Sequence, residues 1–252
     1  MSAVAVLLPL SGLVLLVGIA IGIVGIGGVL LVPLLTYLGS IAIHIAVASC
    51  SLSYLFSGTV GAVLYARKGS IRWSMAGWLF AGAMPGAYLG AVTLSFLPGK
   101  AVELIIGILI IFAGIHSLIG NADGGATRES FSNLQLAVFG LVTGIGSAIT
   151  GTGGPLVLVP ILIWLRMPVL TAIGLSQVIQ VPIAILATIG NFVHGTIDVF
   201  LGIGIAVLST IGVAIGAYIA HRVSALTLKR FAATMLIGVG FLIVARIAHE
   251  FL

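Results

Sequence analysis

Two stretches half a chain apart decide the reading of this sequence: Val17–Gly28, VGIAIGIVGIGG, and Thr143–Gly154, TGIGSAITGTGG. Offset by 126 residues, they agree at six of twelve positions, among them Gly18/Gly144, Gly25/Gly151, Gly27/Gly153 and Gly28/Gly154. The same offset pairs Gly69 with Gly195, Ile71 with Ile197, Gly86 with Gly212 and Gly90 with Gly216. Chance matches come easily in a chain with 35 glycines, whereas a constant offset across separate stretches does not. A proline follows each GxGG, at Pro33 and Pro160, one residue out of step. The sequence reads as a duplication: a first repeat over 1–120, a linker over 121–132 and a second repeat over 133–252.

Composition says where such a chain lives. Of 252 residues, 61% are hydrophobic and 6% charged, with mean hydropathy +1.37. A soluble domain carries roughly 25% charged residues, so fifteen charges are too few to cover a water-soluble globule of this size. A soluble enzyme, a nucleic-acid binder and a disordered chain are excluded. The runs are continuous and rich in Leu, Ile, Ala and Gly, unlike the short alternating segments of a membrane barrel. The net charge of +5 is therefore read as basic loops on one membrane face. The lone Cys50 permits no intramolecular disulfide.

Apolar runs fall in the same order in both halves: 3–24, 28–40, 44–66, 72–96 and 101–119, then 133–149, 154–165, 170–192, 198–220 and 227–248. The expected fold is an all-α integral membrane protein of two inverted repeats, each of about five helical segments, giving 8–10 helices. The second segment of each set has only 12–13 residues, too short for a span of about 20. It is expected to be broken or re-entrant. If the first two segments of a half form a re-entrant hairpin the half crosses three times, and if both span it crosses five times; either odd number inverts the second half. With the 66–72 loop in the cytoplasm, Arg67, Lys68, Arg72, Arg128, Arg166, Arg222, Lys229 and Arg230 fall inside, and only Lys100 and Arg246 outside. Both termini are then expected to be periplasmic.

Inverted repeats with short, Gly/Pro-interrupted segments at matching positions point to a transporter's substrate site. Glycines let the backbone leave helical geometry, and a helix that restarts presents free N–H groups and a dipole favourable to anions. Pro155 suits the first helical turn, where its missing N–H costs nothing. The expected site is an anion cradle formed by Gly25, Gly27, Gly28, Gly151, Thr152, Gly153 and Gly154. Ser49 and Ser51 beside the first motif, and Ser176, Gln177 and Gln180 beside the second, are its expected neutral donors. The competing reading is interhelical hydrogen bonding, and for Gly86-x-x-x-Gly90 and Gly212-x-x-x-Gly216 it is close helix packing.

Asp123, Glu129, Asp198, Glu103 and Glu250 all lie in the linker, near helix starts or at the C-terminus, so no carboxylate sits mid-span. Coupling to protons would fall to His44, His116 or His194, and His194 is singled out because His194-Gly195 aligns with Lys68-Gly69. The pattern calls for no catalytic residue, no metal and no cofactor. The expected partners are a small anion and the lipid bilayer, with no nucleic acid. A homodimer is compatible with the sequence, which does not determine oligomeric state.

GIGGVLLVP (25–33) and GTGGPLVLVP (151–160), with the duplicated layout and the segment AMPGAYLG (83–90), resemble the sulfite exporter TauE/SafE family, and the resemblance covers essentially the whole chain. Val29 and Pro155 stand where that family often has a third glycine. The resemblance implies a carrier in the prokaryotic inner membrane for sulfite, thiosulfate, sulfoacetate or other sulfonates. An anion channel and, less favoured, an integral membrane enzyme are the alternatives. The enzyme reading lacks the interfacial cluster of acidic residues, histidines or arginines such enzymes use.

Overall fold

The computed structural model describes residues 3–108, 131–195 and 197–224, with isolated positions of a further helical run between 226 and 241. The backbone alone is described at 3–7, 26 and 27. Among the described residues every regular element is helical. Helix α1 (Ala3–Val24) leads into a 3-10 turn (Ile26–Leu30), the short α2 (Leu31–Pro33) and a π turn (Leu34–Leu38). Then come α3 (Ile43–Arg67), α4 (Trp73–Phe96) and α5 over 99–108. The second half contains α6 (Asn133–Thr150), α7 (Pro155–Trp164), α8 (Val169–His194) and α9 (Val199–Ala220).

Five of these, α3, α4, α6, α8 and α9, are long and apolar enough to cross a membrane, so the chain is a multi-pass helical membrane protein. The expected segments from 28–40 to 72–96 and from 133–149 to 198–220 fall on these elements within a few residues. The linker positions 121–130, residues 109–119 and most of 227–248 lie outside the described residues. So do His116, Asp123, Arg128, Glu129, Lys229, Arg246 and Glu250.

Local sequence sets the helix starts. Ser132 and Gln135 form a reciprocal capping box ahead of α6, with Gln135 N–H donating to Ser132 Oγ at 3.3 Å and Ser132 N–H to Gln135 Oε1 at 3.1 Å. Asp198 caps α9 by accepting from Leu201 N–H at 2.9 Å, as its place at a helix start implies.

The closest packing runs between the halves. Helix α1 lies along α9 and α4 along α6, in both cases parallel and with glycines at the seam. A Cβ on Gly18 would meet Ser209 O at 2.7 Å, and one on Gly212 would meet Leu15 O at 2.5 Å. The contacts of α4 with α6 repeat this pattern: Gly144 faces Ala83 O, Gly86 faces Leu141 O and Gly90 faces Ile145 O, as Gly216 faces Ile19 O. In every case glycine and partner both shift by 126 residues between the two seams. Without large side chains at these points, backbones approach closely enough for dispersion to hold helices together where no water drives them.

Loop contacts give the helix directions. Beyond the end of α3, Ser70 O lies 2.9 Å from the Cβ position of Gly174 in the second turn of α8. Ser70 Oγ pairs with His221 Nε2 just past α9 at 3.2 Å. At the other end His44, near the start of α3, donates from Nε2 to Leu97 O just past α4 at 2.9 Å. There too Ser49 donates to Asp198 O ahead of α9 at 3.1 Å. Helices α3 and α8 are therefore antiparallel, as are α4 and α9. Arg67, Lys68, Arg72, Arg166 and Arg222 gather at one end of the bundle and Lys100 lies at the other.

The seams predict the effect of added bulk. Gly216→Val should lower stability by about 1–3 kcal/mol, as overpacking does, seen as a lower Tm of the purified protein in detergent. Gly12→Ala, at a glycine with nothing within 4 Å, should leave Tm unchanged or raised. Equal melting of Gly216→Val and wild type would contradict the packing.

Candidate functional site

The second GxGG opens the helix completely. Gly151, Gly153 and Gly154 have φ of +62°, +77° and +118°, conformations that side chains bearing a Cβ rarely adopt. Helix α7 restarts with Gly154 as its cap and Pro155 in its first turn. The first GxGG opens only in part: Gly25 alone has positive φ, +80°, while Gly27 and Gly28 continue in the 3-10 turn. The difference follows from one residue. Val29 has a backbone N–H with which a short-range turn can continue, and Pro155 at the matching position has none.

The two broken segments run past each other in opposite directions. Gly25 faces Pro155 and Val159, Gly28 faces Thr152 O, and Gly151 faces Val32. Buried side chains of α3 and α8 close around this crossing. Tyr54 donates to Gly28 O at 2.9 Å, and its ring lies 3.0 Å from the Cβ position of Gly153. Gln177 donates from Nε2 to Ile21 O at 2.8 Å, and Tyr65 donates to Gly22 O at 2.9 Å, so two carbonyls in the last turn of α1 have side-chain partners. Gln180 is wedged between Gly58 and Gly153 with neither end of its carboxamide paired.

Of the residues expected at the site, Gly25, Gly28, Thr152, Gly153, Ser176, Gln177 and Gln180 come together here, with Gly27 placed by its backbone in the adjoining turn. Ser176 Oγ sits 3.0 Å from the Cβ position of Gly25 and donates to Ile173 O at 2.7 Å. Gly151 and Gly154 belong to the same turn, Gly151 against Val47 and Val32 and Gly154 against Ile179, Ile183 and Thr143. Ser51 donates to Val47 O at 3.0 Å, one turn back on its own helix. Ser49, bonded to Asp198 O, packs near the start of α9 instead. His194 lies at the exposed end of α8 beside Tyr88, with Nε2 3.5 Å from the phenol oxygen. Fourteen residues separate it from Gln180, about 21 Å of helix.

Sequence reasoning passed over Tyr54. Its signal was present, since Tyr54 stands 126 residues before Gln180 and both reach the same glycine. Part of the backbone at the expected cradle is paired within the turn. The N–H groups of Gly151 and Thr152 bond Ser147 O, and those of Val157 and Leu158 bond Gly154 O. The N–H groups of Gly153, Gly154 and Leu156 take no part in these bonds, and unpaired side-chain groups add to them around the turn. Helices α6, α7 and α8 carry no Lys, Arg, Asp or Glu. Among the described residues no group of three or more His, Cys, Asp or Glu is placed to hold a metal.

The sequence model of the family described as "Sulfite exporter TauE/SafE" matches residues 10–243. A "Probable membrane transporter protein" of Xylella fastidiosa (strain 9a5c) is 28% identical over 217 residues, 83% of each chain. The "Probable membrane transporter protein YdhB" of Bacillus subtilis (strain 168) is 26% identical over 222 residues, 85% of this chain and 90% of that protein. No solved structure matches the chain.

Tyr54→Phe removes one hydrogen bond at the crossing without changing shape. It should cost about 1 kcal/mol of stability, read as a small drop in Tm. An unchanged Tm would mean that the phenol does not hold the first break in place.

Proposed function

We propose that this chain, which belongs to the sulfite exporter TauE/SafE family, carries small sulfur-containing anions across the membrane. Sulfite is the anion that the family's description names, and thiosulfate and sulfonates such as sulfoacetate are the related anions that the sequence resemblance adds. The supporting observation is the crossing of two broken helices in the bundle interior, with polar side chains from α3 and α8 closed around it. Broken helices at matching positions of inverted repeats are where transporters hold their substrates. Antiparallel α3/α8 and α4/α9, with seams that recur at an offset of 126 residues, support the inverted duplication.

Burial favours alternating access over an open channel. Ser176, Gln177 and Gln180 are fully buried and Thr152 is 2% exposed, so an anion reaches them only when the bundle rearranges. Transport rather than catalysis is the activity of this reading. The basic end, with Arg67, Lys68, Arg72, Arg166 and Arg222, is taken as cytoplasmic. On this reading the chain sits in a prokaryotic inner membrane with periplasmic termini.

Two experiments test these assignments. Sulfite flux into proteoliposomes should be saturable with wild type and lost in Gly28→Leu, whose added side chain would strike Tyr54. Flux at the wild-type rate in a correctly inserted Gly28→Leu would refute the site. For sidedness, Lys68→Cys and Lys100→Cys in a Cys50→Ala background should be labelled by membrane-impermeant reagents from opposite faces. Labelling of both from one face would refute the inverted topology.

A further inference from the structure

The two breaks differ in what surrounds them. Around the first, buried hydroxyls donate to backbone carbonyls, Tyr54 to Gly28 O at 2.9 Å and Tyr65 to Gly22 O at 2.9 Å, and the unpaired atom of Gln177 is Oε1, an acceptor. Around the second, Thr143 Oγ1, Ser147 Oγ and both amide atoms of Gln180 are buried with no partner. These three side chains are 0%, 1% and 0% exposed. Thr143 and Ser147 stand one turn apart on the same face of α6. The carbonyl of Ser147 already accepts the N–H groups of Gly151 and Thr152, so its hydroxyl sits on the last turn before the break. The methyl of Thr143 lies 3.8 Å from the Cβ position of Gly154, and Gln180 Nε2 lies 3.0 Å from that of Gly153.

Buried polar groups are paired as a rule, and a cluster of unpaired ones on two helices facing a single turn calls for an occupant. The residues 126 positions earlier are Val17, Ile21 and Tyr54, two of them apolar and the third already bonded. The duplication has thus diverged at these three positions. We propose that the anion is held at the second break alone, by Thr143, Ser147 and Gln180, and that the first break is a structural counterpart that supports it. This rests on the transport reading above.

The chemistry of the three residues also sets the ligand class. Two hydroxyls and one carboxamide can donate to oxyanion oxygens, but α6, α7 and α8 supply no Lys or Arg. The cost of removing an ion from water grows as the square of its charge, so a dianion costs about four times as much as a monoanion of the same size. Neutral donors offset the smaller cost and not the larger. The site therefore selects monoanionic oxyanions, such as a monosulfonate or hydrogensulfite, over dianions such as sulfate.

Calorimetric titration of the purified full-length protein with methanesulfonate and with sulfate tests this. Wild type should bind methanesulfonate and bind sulfate roughly tenfold or more weaker. Thr143→Val, Ser147→Ala and Gln180→Leu should each weaken methanesulfonate by roughly tenfold or more, the change that follows loss of a hydrogen bond to a charged partner. Ser57→Ala, which removes a hydroxyl bonded within α3 to Ser53 O, should bind as wild type does. Ser147→Ala deletes one oxygen from a helix and keeps the test open if Gln180→Leu does not fold. Wild-type affinity in Ser147→Ala and Thr143→Val, or sulfate bound as tightly as methanesulfonate, would overturn the inference. Sulfite flux measured alongside separates the two levels. Undiminished flux in Thr143→Val and Ser147→Ala overturns the site assignment only, whereas no flux in wild type overturns the transport reading and this inference with it.

Discussion

A helix that breaks inside hydrocarbon leaves backbone N–H and C=O groups with no water to pair them, and each unpaired group is costly there. The arrangement around the two GxGG turns follows from this constraint. The carbonyls of Ile21, Gly22 and Gly28 receive Gln177, Tyr65 and Tyr54, and Ser147 O and Gly154 O take the N–H groups of Gly151, Thr152, Val157 and Leu158 at the second turn. Each partner comes from α3 or α8 or from the turn itself. The breaks are therefore stable only while α3 and α8 enclose them, so their pairing and the bundle form together.

Enclosure depends in turn on the outer seams. Helices α1 and α6, which lead into the two breaks, are each held by the other half, α1 by α9 and α6 by α4. Glycines at Gly18, Gly212 and Gly216, and at Gly144, Gly86 and Gly90, bring backbones together along parallel helices. Neither half can be removed without stripping the other's broken segment of its support. This interlocking joins the halves into one bundle around a shared centre.

Much of this was legible in the sequence, because glycine and proline act locally. Gly25 and Gly151, aligned by the offset, both take up positive φ, and Pro155 stands at the start of α7. Among the described residues, Arg67, Lys68, Arg72, Arg166 and Arg222 lie at the opposite end from Lys100, as their loop positions imply. Side-chain partners were less legible. Ser51 has a carbonyl of its own helix within reach, and that local acceptor takes its hydrogen before any ligand does. Ser49 lies on the same helix but bonds a carbonyl 149 positions away, which no local pattern encodes. Tyr54 resembled an ordinary interior aromatic until Gly28 O appeared beside it. The informative signal at Thr143 and Ser147 was their mismatch with Val17 and Ile21, visible only once the repeat is taken as a template from which the halves diverge.

The central claim is that an anion resides where the two broken helices cross, without a formal positive charge to hold it. Locating a bound anion tests this most directly, with selenite as a heavy-atom stand-in for sulfite and selenium's anomalous scattering to place it in crystals of the full chain. The account predicts a selenium peak within hydrogen-bonding distance of Thr143, Ser147 and Gln180 at the Gly153–Gly154 turn. A peak at the basic end, among Arg67, Arg72 and Arg222, with none at the crossing, would contradict it.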